Sequence, residues 1–306
     1  MNKPAQELAA DARRGGALRA PHIPVALTIA GSDSSGGAGV QADLKTFSAL
    51  GVYGASVLTA LTAQNTRAVA AILEVPADFV RAQLEAVLTD LQVAVIKLGM
   101  LHGAAVIDTV AAVLADYPQI PVVLDPVMVA KGGAPLLAAD GAAALRRLLP
   151  RATVLTPNLP EAAVLLGCDE AAVRAEPRRA CAELRRLGPA AVVLKGGHAG
   201  GASSDDLIDT GSELTILPGP RLPTRHTHGT GCTFAAALAA GLGHGLALSA
   251  AAGSAKRYVT AAIAAADGLW QELGKPTAGG AGSALGHGPV HHFHALWPAL
   301  PRALLP

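Results

Sequence analysis

Val25-Ala26-Leu27-Thr28-Ile29-Ala30-Gly31-Ser32-Asp33-Ser34-Ser35-Gly36-Gly37-Ala38-Gly39-Val40 reads as a strand, a glycine loop and the opening of a helix. The nearly unbroken apolar run over Val25–Ala30 is what a strand covered on both faces requires. The helix is expected from about Val40 to Leu50. The same alternation continues along the chain. Strands are expected over Val52–Leu61, Val93–Leu98, Pro121–Leu124, Val154–Leu155 and Ala190–Leu194. Helices are expected over Ala77–Leu91, Ala104–Ala115, Ala138–Leu148, Pro160–Leu166, Ala171–Leu187, Gly231–Leu242 and Leu248–Leu273. Asp206–Asp209 and Glu213–Leu217, joined by Thr210-Gly211-Ser212, read as a hairpin. Repeated βα units predict an α/β fold, a mainly parallel central sheet flanked by helices on both faces.

In such sheets ligands bind beyond the carboxyl ends of the strands. Gly31, Gln64, Asp125, Thr156, Asn158 and Lys195 all fall there. The glycine loop lacks the Gly-x-Gly-x-x-Gly spacing of a dinucleotide site, and no acidic ribose partner follows a second strand. It is read instead as a loop that brings backbone close to a small ligand. Asp125 and Glu161, each just past a strand, can hold Mg²⁺ directly or through waters while nucleotide phosphates complete the shell. Lys195-Gly196-Gly197-His198 places an ammonium near a phosphate or ribose. Thr156 and Asn158 at the same edge are assigned to the nucleotide with it.

The run Thr227-His228-Gly229-Thr230-Gly231-Cys232-Thr233 opens an alanine-rich helix. A helix start offers unpaired N–H groups and the positive end of the helix dipole, and glycines let the backbone approach an anion. The run reads equally as a glycine-rich turn before a buried helix, with Cys232 a small apolar filler; on the anion reading Gly229, Thr230, Gly231 and Cys232 are the candidate catalytic set. Cys232 at such a position is expected to have a lowered pKa and to be partly thiolate near neutrality.

Composition excludes several classes. A net charge of +1 gives no electrostatic case for nucleic acid or an acidic membrane surface. Residues 226–255 carry no Lys, Arg, Asp or Glu, but Gly243-His244-Gly245 interrupts them and most are small, so buried helices are expected rather than a membrane span. Cys168, Cys181 and Cys232 lack metal or disulfide spacing, which fits a reducing cytoplasm. The His-rich stretch Gly286–His294 has no carboxylate or cysteine to complete a zinc site and reads as a packed tail. Arg outnumbers Lys by 17 to 7, yet Lys45, Lys97, Lys131 and Lys195 sit beside glycine-rich or strand-end sequence, where a compact ammonium suits phosphate oxygens.

Ala26–Gly39, Gln41-Ala42-Asp43-Leu44-Lys45-Thr46, Thr62-Ala63-Gln64-Asn65-Thr66, Lys97-Leu98-Gly99-Met100, Asp125-Pro126-Val127-Met128, Thr156–Glu161, Lys195–His198, the Gly-Thr-Gly-Cys run and the tail Gly288–His294 resemble the bacterial hydroxymethylpyrimidine/phosphomethylpyrimidine kinases of thiamine biosynthesis. The resemblance spans roughly residues 25–297 in order. It implies a ribokinase-like fold with a minimal lid, a homodimer, ATP and Mg²⁺ as cofactors, and a small-molecule pyrimidine phosphorylated twice in succession. It implies that Gln64 binds the aminopyrimidine edge, to which a carboxamide presents donor and acceptor side by side. Gly31, Ala38, Met100 and Val127 would pack around the ring, and Gly229–Cys232 would form the anion hole. Sugar-kinase cousins carry an aspartate base where Cys232 stands, so the thiolate is expected to accept the hydroxyl proton late. Residues 1–23 are expected to be a disordered extension, 24–297 a single kinase domain and 298–306 a tail. A pyridoxal kinase or dual-specificity enzyme is the nearest rival, and a non-catalytic pyrimidine sensor the rival of another class.

Overall fold

The computed structural model describes residues 23–198, 201–273 and 286–300. Residues 1–22 of the expected extension and 301–306 of the expected tail lie outside the described residues.

Nine strands form one sheet: β1 Val25–Asp33, β2 Tyr53–Gln64, β3 Val69–Glu74, β4 Val93–Leu98, β5 Val122–Leu124, β6 Val154–Leu155, β7 Ala191–Leu194, β8 Asp206–Asp209 and β9 Leu214–Leu217. Their spatial order is β3-β2-β1-β4-β5-β6-β7-β8-β9. From β2 through β7 every neighbour is parallel, and antiparallel hairpins close both edges. The helices are α1 Gly39–Ala49, α2 Ala77–Leu88, α3 Ala104–Leu114, α4 Gly141–Leu148, α5 Leu159–Leu166, α6 Glu170–Ala175, α7 Pro177–Arg186, α8 Thr230–Gly243, α9 Leu248–Ala264 and α10 Ala266–Leu273.

Two apolar layers sandwich the sheet. One packs Leu27, Ile29, Ile96, Leu98 and Leu124 against α2, α3 and α4. The other packs Ala26, Val95, Val123 and Val193 against the alanine-rich α8 and against α9. Alanine along α8 lets that helix lie close under the sheet, and its residues Phe234–Ala240 are buried almost completely. That burial is why the uncharged stretch over 226–255 is a core element. No described helix is long and apolar enough to cross a membrane.

Three elements depart from expectation. The helix expected over Ala171–Leu187 is two helices, because Pro177 cannot donate its N–H to a continuing turn. The helix expected over Leu248–Leu273 is likewise divided at Ala265. The edge strand β3 had no counterpart in the sequence reading; nearly all its side chains are exposed or half-exposed, so it carries no burial pattern to read.

Candidate active site

The carboxyl ends of β1, β2, β4, β5, β6 and β7 converge on a cavity of about 760 Å³. Gly31, Ala38, Gln64, Met100 and Val127 line one part of it. Asp125, Asn158, Glu161, Lys195 and the run Gly229–Cys232 line the next. Of the residues assigned to the pyrimidine, nucleotide, metal or phosphoryl group, Thr156 is not part of the lining: it is fully buried and its hydroxyl turns to Asp125 Oδ1 (3.2 Å).

In the first part, Gly31 is held at the β1 end with its N–H donating to Met100 O, and a Cβ there would lie 2.9 Å from Met100 Sδ. Only glycine lets that thioether lie against the backbone. Thr62 Oγ1 lies 2.8 Å from Ser32 O and 3.2 Å from Gln64 Oε1 and has one proton to offer the two acceptors, while Gln64 lines the cavity wall. Ser34 ties the Gln64 backbone to the glycine loop. The loop itself folds around Asp33. Its carboxylate accepts from Ser35 N, Ser35 Oγ, Gly37 N and Ala38 N, and from His228 Nε2 at 2.7 Å. Burial works against the charge, but the bonds from His228 and Ser35 and the His228 charge prevail and hold Asp33 at about 2.

Two lysine–carboxylate pairs sit along the same sheet edge. Lys195 donates to Asp125 Oδ1 at 2.7 Å and lies 4.0 Å from Glu161 Oε2. Glu161 closes a capping box at the start of α5: Asn158 N donates to Glu161 Oε2 and Glu161 N to Asn158 Oδ1. Burial raises Glu161 to about 7 against the pull of Lys195, with Asp125 adding to the rise. Because these bonds engage one oxygen of each carboxylate, Asp125 Oδ2 and Glu161 Oε1 accept no hydrogen bond from the described residues. The second pair is sealed: Lys97 Nζ donates to Asp43 Oδ2 at 2.9 Å with both side chains fully buried, and Thr28 Oγ1 donates to the same oxygen. Burial works against the Lys97 charge, but Asp43, Cys232 and Asp125 keep its pKa above the ordinary lysine value.

Cys232 lies in the first turn of α8, whose Gly231 and Cys232 N–H groups meet no carbonyl of the described residues. The helix start therefore does present free donors. The expected thiolate is corrected, however. Burial pushes the thiol up to about 11; Lys97 and the Gly39 N–H pull it down, but Asp43 and Asp125 push it up again. Burial and the two carboxylates prevail, and at neutral pH the group is a thiol.

The lysine clue divides in the same way. Lys131, Lys195 and Lys97 border the cavity, but Lys97 has no exposed side-chain surface and is held by Asp43. Lys45 lies outside the lining and donates to Gly36 O at 2.8 Å. Sequence reading missed Asp33, Asp43 and His228, whose partners are remote in the chain. It also missed Lys256, which donates to Asp206 Oδ2 and Ser204 O at the far end of the cavity beside Leu222, Val259 and Ile263. Only the adjoining glycines hinted at Asp33.

Residues 33–276 match the family model described as phosphomethylpyrimidine kinase. The hydroxymethylpyrimidine/phosphomethylpyrimidine kinase of Rhizobium meliloti is 52% identical over 274 residues, covering 89% of this chain and 98% of that protein. The ADP complex of Bacillus subtilis pyridoxal kinase is similar with a TM-score of 0.75 at 35% identity, over 89% of this chain and 98% of that one. The phosphomethylpyrimidine kinase of Clostridium difficile 630 gives 0.68 at 37% identity, over 78% and 99%.

Proposed function

The chain belongs to the phosphomethylpyrimidine kinase family, with a ribokinase-like fold, and from that premise we propose how its cavity works. The protein is a phosphotransferase of thiamine biosynthesis that phosphorylates 4-amino-5-hydroxymethyl-2-methylpyrimidine and then its monophosphate. One observation supports the assignment of roles above the others: the carboxamide wall at Gln64 and the free N–H groups of Gly231 and Cys232 open into the same cavity.

In this reading the pyrimidine lies among Gly31, Ala38, Met100 and Val127, with its amino edge on Gln64 and its hydroxymethyl group toward α8. ATP occupies the far half, its base among Leu222, Val259 and Ile263 beside Lys256, and its phosphates beside Lys195 and Asn158. The N–H groups of Gly231 and Cys232, with Thr230 alongside, receive the charge on the transferring phosphoryl group. Asp125 Oδ2 and Glu161 Oε1 are hard oxygen donors of the kind Mg²⁺ takes, and two carboxylates leave its other positions to phosphates and waters. When bound there, the ion supplies charge neutralisation between the phosphates. Among the described residues no cluster of three or more His, Cys, Asp or Glu side chains could hold a metal unaided.

A phosphoryl transition state is loose, so the hydroxyl proton is shed only once the new P–O bond makes that oxygen strongly acidic. No base has to be ionised in the resting protein. Cys232 as a thiol shapes the anion hole. The reading extends to a single kinase domain over residues 24–297, a cytoplasmic location and a homodimer. Leu61 and Leu73, cross-strand partners on the outer hairpin with 40% and 66% of their surface exposed, support the dimer.

The deciding experiment is product mass spectrometry with ATP, Mg²⁺ and the hydroxymethylpyrimidine, with pyridoxal in parallel. Mono- and then diphosphate from the pyrimidine is the expected result; pyridoxal phosphate alone would overturn it. The likeness to pyridoxal kinase structures is the reason for the second tube, and both products together would mark a dual-specificity enzyme.

A further inference from the structure

The pyrimidine-side loop and the anion hole belong to chain segments almost two hundred residues apart, yet they touch backbone to backbone. A Cβ on Gly229, which adopts φ +80, would fall 1.8 Å from Gly37 O, and one on Gly37 would fall 2.4 Å from His228 Cδ2. Contact this close makes the relative placement of the two loops a matter of fractions of an ångström. Phosphoryl transfer needs that accuracy, because the anion hole must meet the group arriving at the pyrimidine's hydroxyl.

Few polar links cross this seam among the described residues. The side-chain bond that does is His228 Nε2 to Asp33 Oδ2 at 2.7 Å, with both side chains nearly sealed from solvent. The two partners are held very differently. Asp33 keeps four further bonds within its own loop. His228 precedes Gly229 directly, and its backbone is gripped by the carboxyl-terminal segment: His228 N donates to Gly288 O (3.1 Å) and Val290 N to His228 O (3.2 Å). The same segment reaches Thr66 O through His287 N, beside the Gln64 wall, and reaches the first turn of α8 through His292 Nε2 and Thr233 Oγ1 (3.0 Å). Tyr258 Oη fixes it from behind by donating to His292 O. The His-rich motif thus serves as a brace.

We propose that His228 is a positioning residue for phosphoryl transfer: through Asp33 it locks the anion hole to the pyrimidine-side loop, and the segment Gly286–His292 braces it in that register. The assignment deepens the kinase reading and rests on it.

The asymmetry of the two partners sets the test. Without His228 the Asp33 loop keeps its internal bonds, so pyrimidine binding survives while the anion hole loses its tie. His228→Ala is expected to lower kcat about thirtyfold or more while KM for the pyrimidine stays within about threefold. His228 lines the cavity, so added imidazole is expected to restore part of that loss, about fivefold. His228→Gln, whose amide can still donate toward Asp33, is expected to keep kcat within about fivefold of wild type. Asp33→Asn with His228→Ala is expected to be no slower than Asp33→Asn alone, since one link cannot be broken twice.

A kcat for folded His228→Ala within about threefold of wild type would overturn the proposal, as would losses that multiply in the double variant. Should His228→Ala fail to fold, the Gln variant decides: folded but slowed as far as an unlinked site, about thirtyfold, it sinks the proposal. Wild-type turnover in the same assay keeps the two readings apart. No pyrimidine phosphate from wild type defeats the kinase reading, whereas wild-type product with an unimpaired His228→Ala defeats the positioning role alone.

Discussion

Lys97–Asp43 and Lys195–Asp125 are the same pair of residue types at the same edge of one sheet, and they do different things. Lys97 is enclosed: neither side chain has any exposed surface, Thr28 supplies a further donor, and Asp43 Oδ1 is left buried without a partner. Lys195 opens into the cavity, with 13% of its side chain exposed and a second carboxylate at 4.0 Å. Burial decides the difference. A sealed ion pair cannot exchange its partner for a ligand, so it serves the architecture and the field beneath Cys232. A pair facing a cavity can release its cation to a phosphate, so it serves binding and transfer.

The largest effect that would break this contrast is on stability. Lys97→Met leaves Asp43 charged and unpaired in the core, and should cost about 3–5 kcal/mol in urea unfolding; adding Asp43→Leu should recover most of it. A Lys97→Met protein as stable as wild type would mean that the pair is not the sealed unit described. Lys195→Ala should shift the weight to turnover, lowering kcat roughly 10²–10³-fold with a smaller loss of stability than Lys97→Met. Equal losses of stability in the two variants would erase the distinction between the pairs.

Acid sharpens the comparison through groups at the seam between the loops. Asp33 titrates at about 2 in the folded protein against an ordinary 3.8, so its contribution is present above pH 3.8 and is lost as pH falls toward 2. That shift corresponds to about 2 kcal/mol. His292 is held neutral: burial first, then Lys45 and neighbouring histidines, bring it from 6.5 to about 3. The unfolded chain therefore binds a proton that the folded chain refuses, and stability falls as pH drops from 6.5 toward 3. Melting temperatures between pH 7.5 and 4 should decline, and His292→Gln should flatten the upper part of that decline. A slope unchanged by the substitution would show that His292 is not the group responsible. The smallest effect is at Cys232. Its alkylation, followed peptide by peptide, should rise toward pH 11 and not near 8, and Cys232→Ser should keep kcat within about tenfold. A midpoint near neutrality would restore the thiolate.

How much of this was legible in the sequence varies by kind of residue. The alternation of strands and helices was, because parallel strands covered on both faces must be apolar runs. The outer strand Val69–Glu74 was not, since it buries no side chain fully and only Val69 and Ile72 pack partly against the cavity-side cluster, although the break at Pro177 could have been read from the proline. Gln64, Asp125, Glu161 and Lys195 were found because each stands at or just past a strand end, and Met100 only through the family resemblance; the cavity does collect them. Thr156 stands at a strand end too, but a strand end says nothing of whether a hydroxyl turns toward the cavity or toward Asp125.

By itself the chain determined its architecture and the local chemistry offered at each strand end, because these follow from periodicity, backbone freedom and residue type within a few neighbouring positions, while its family showed in the resemblance of its motifs. Only the tertiary structure decided that Lys97 is sealed while Lys195 is open, that Cys232 is a thiol, and that His228 meets Asp33. Each of those depends on the dielectric and the partners around a group, and such surroundings are assembled from distant segments that meet only in the folded molecule.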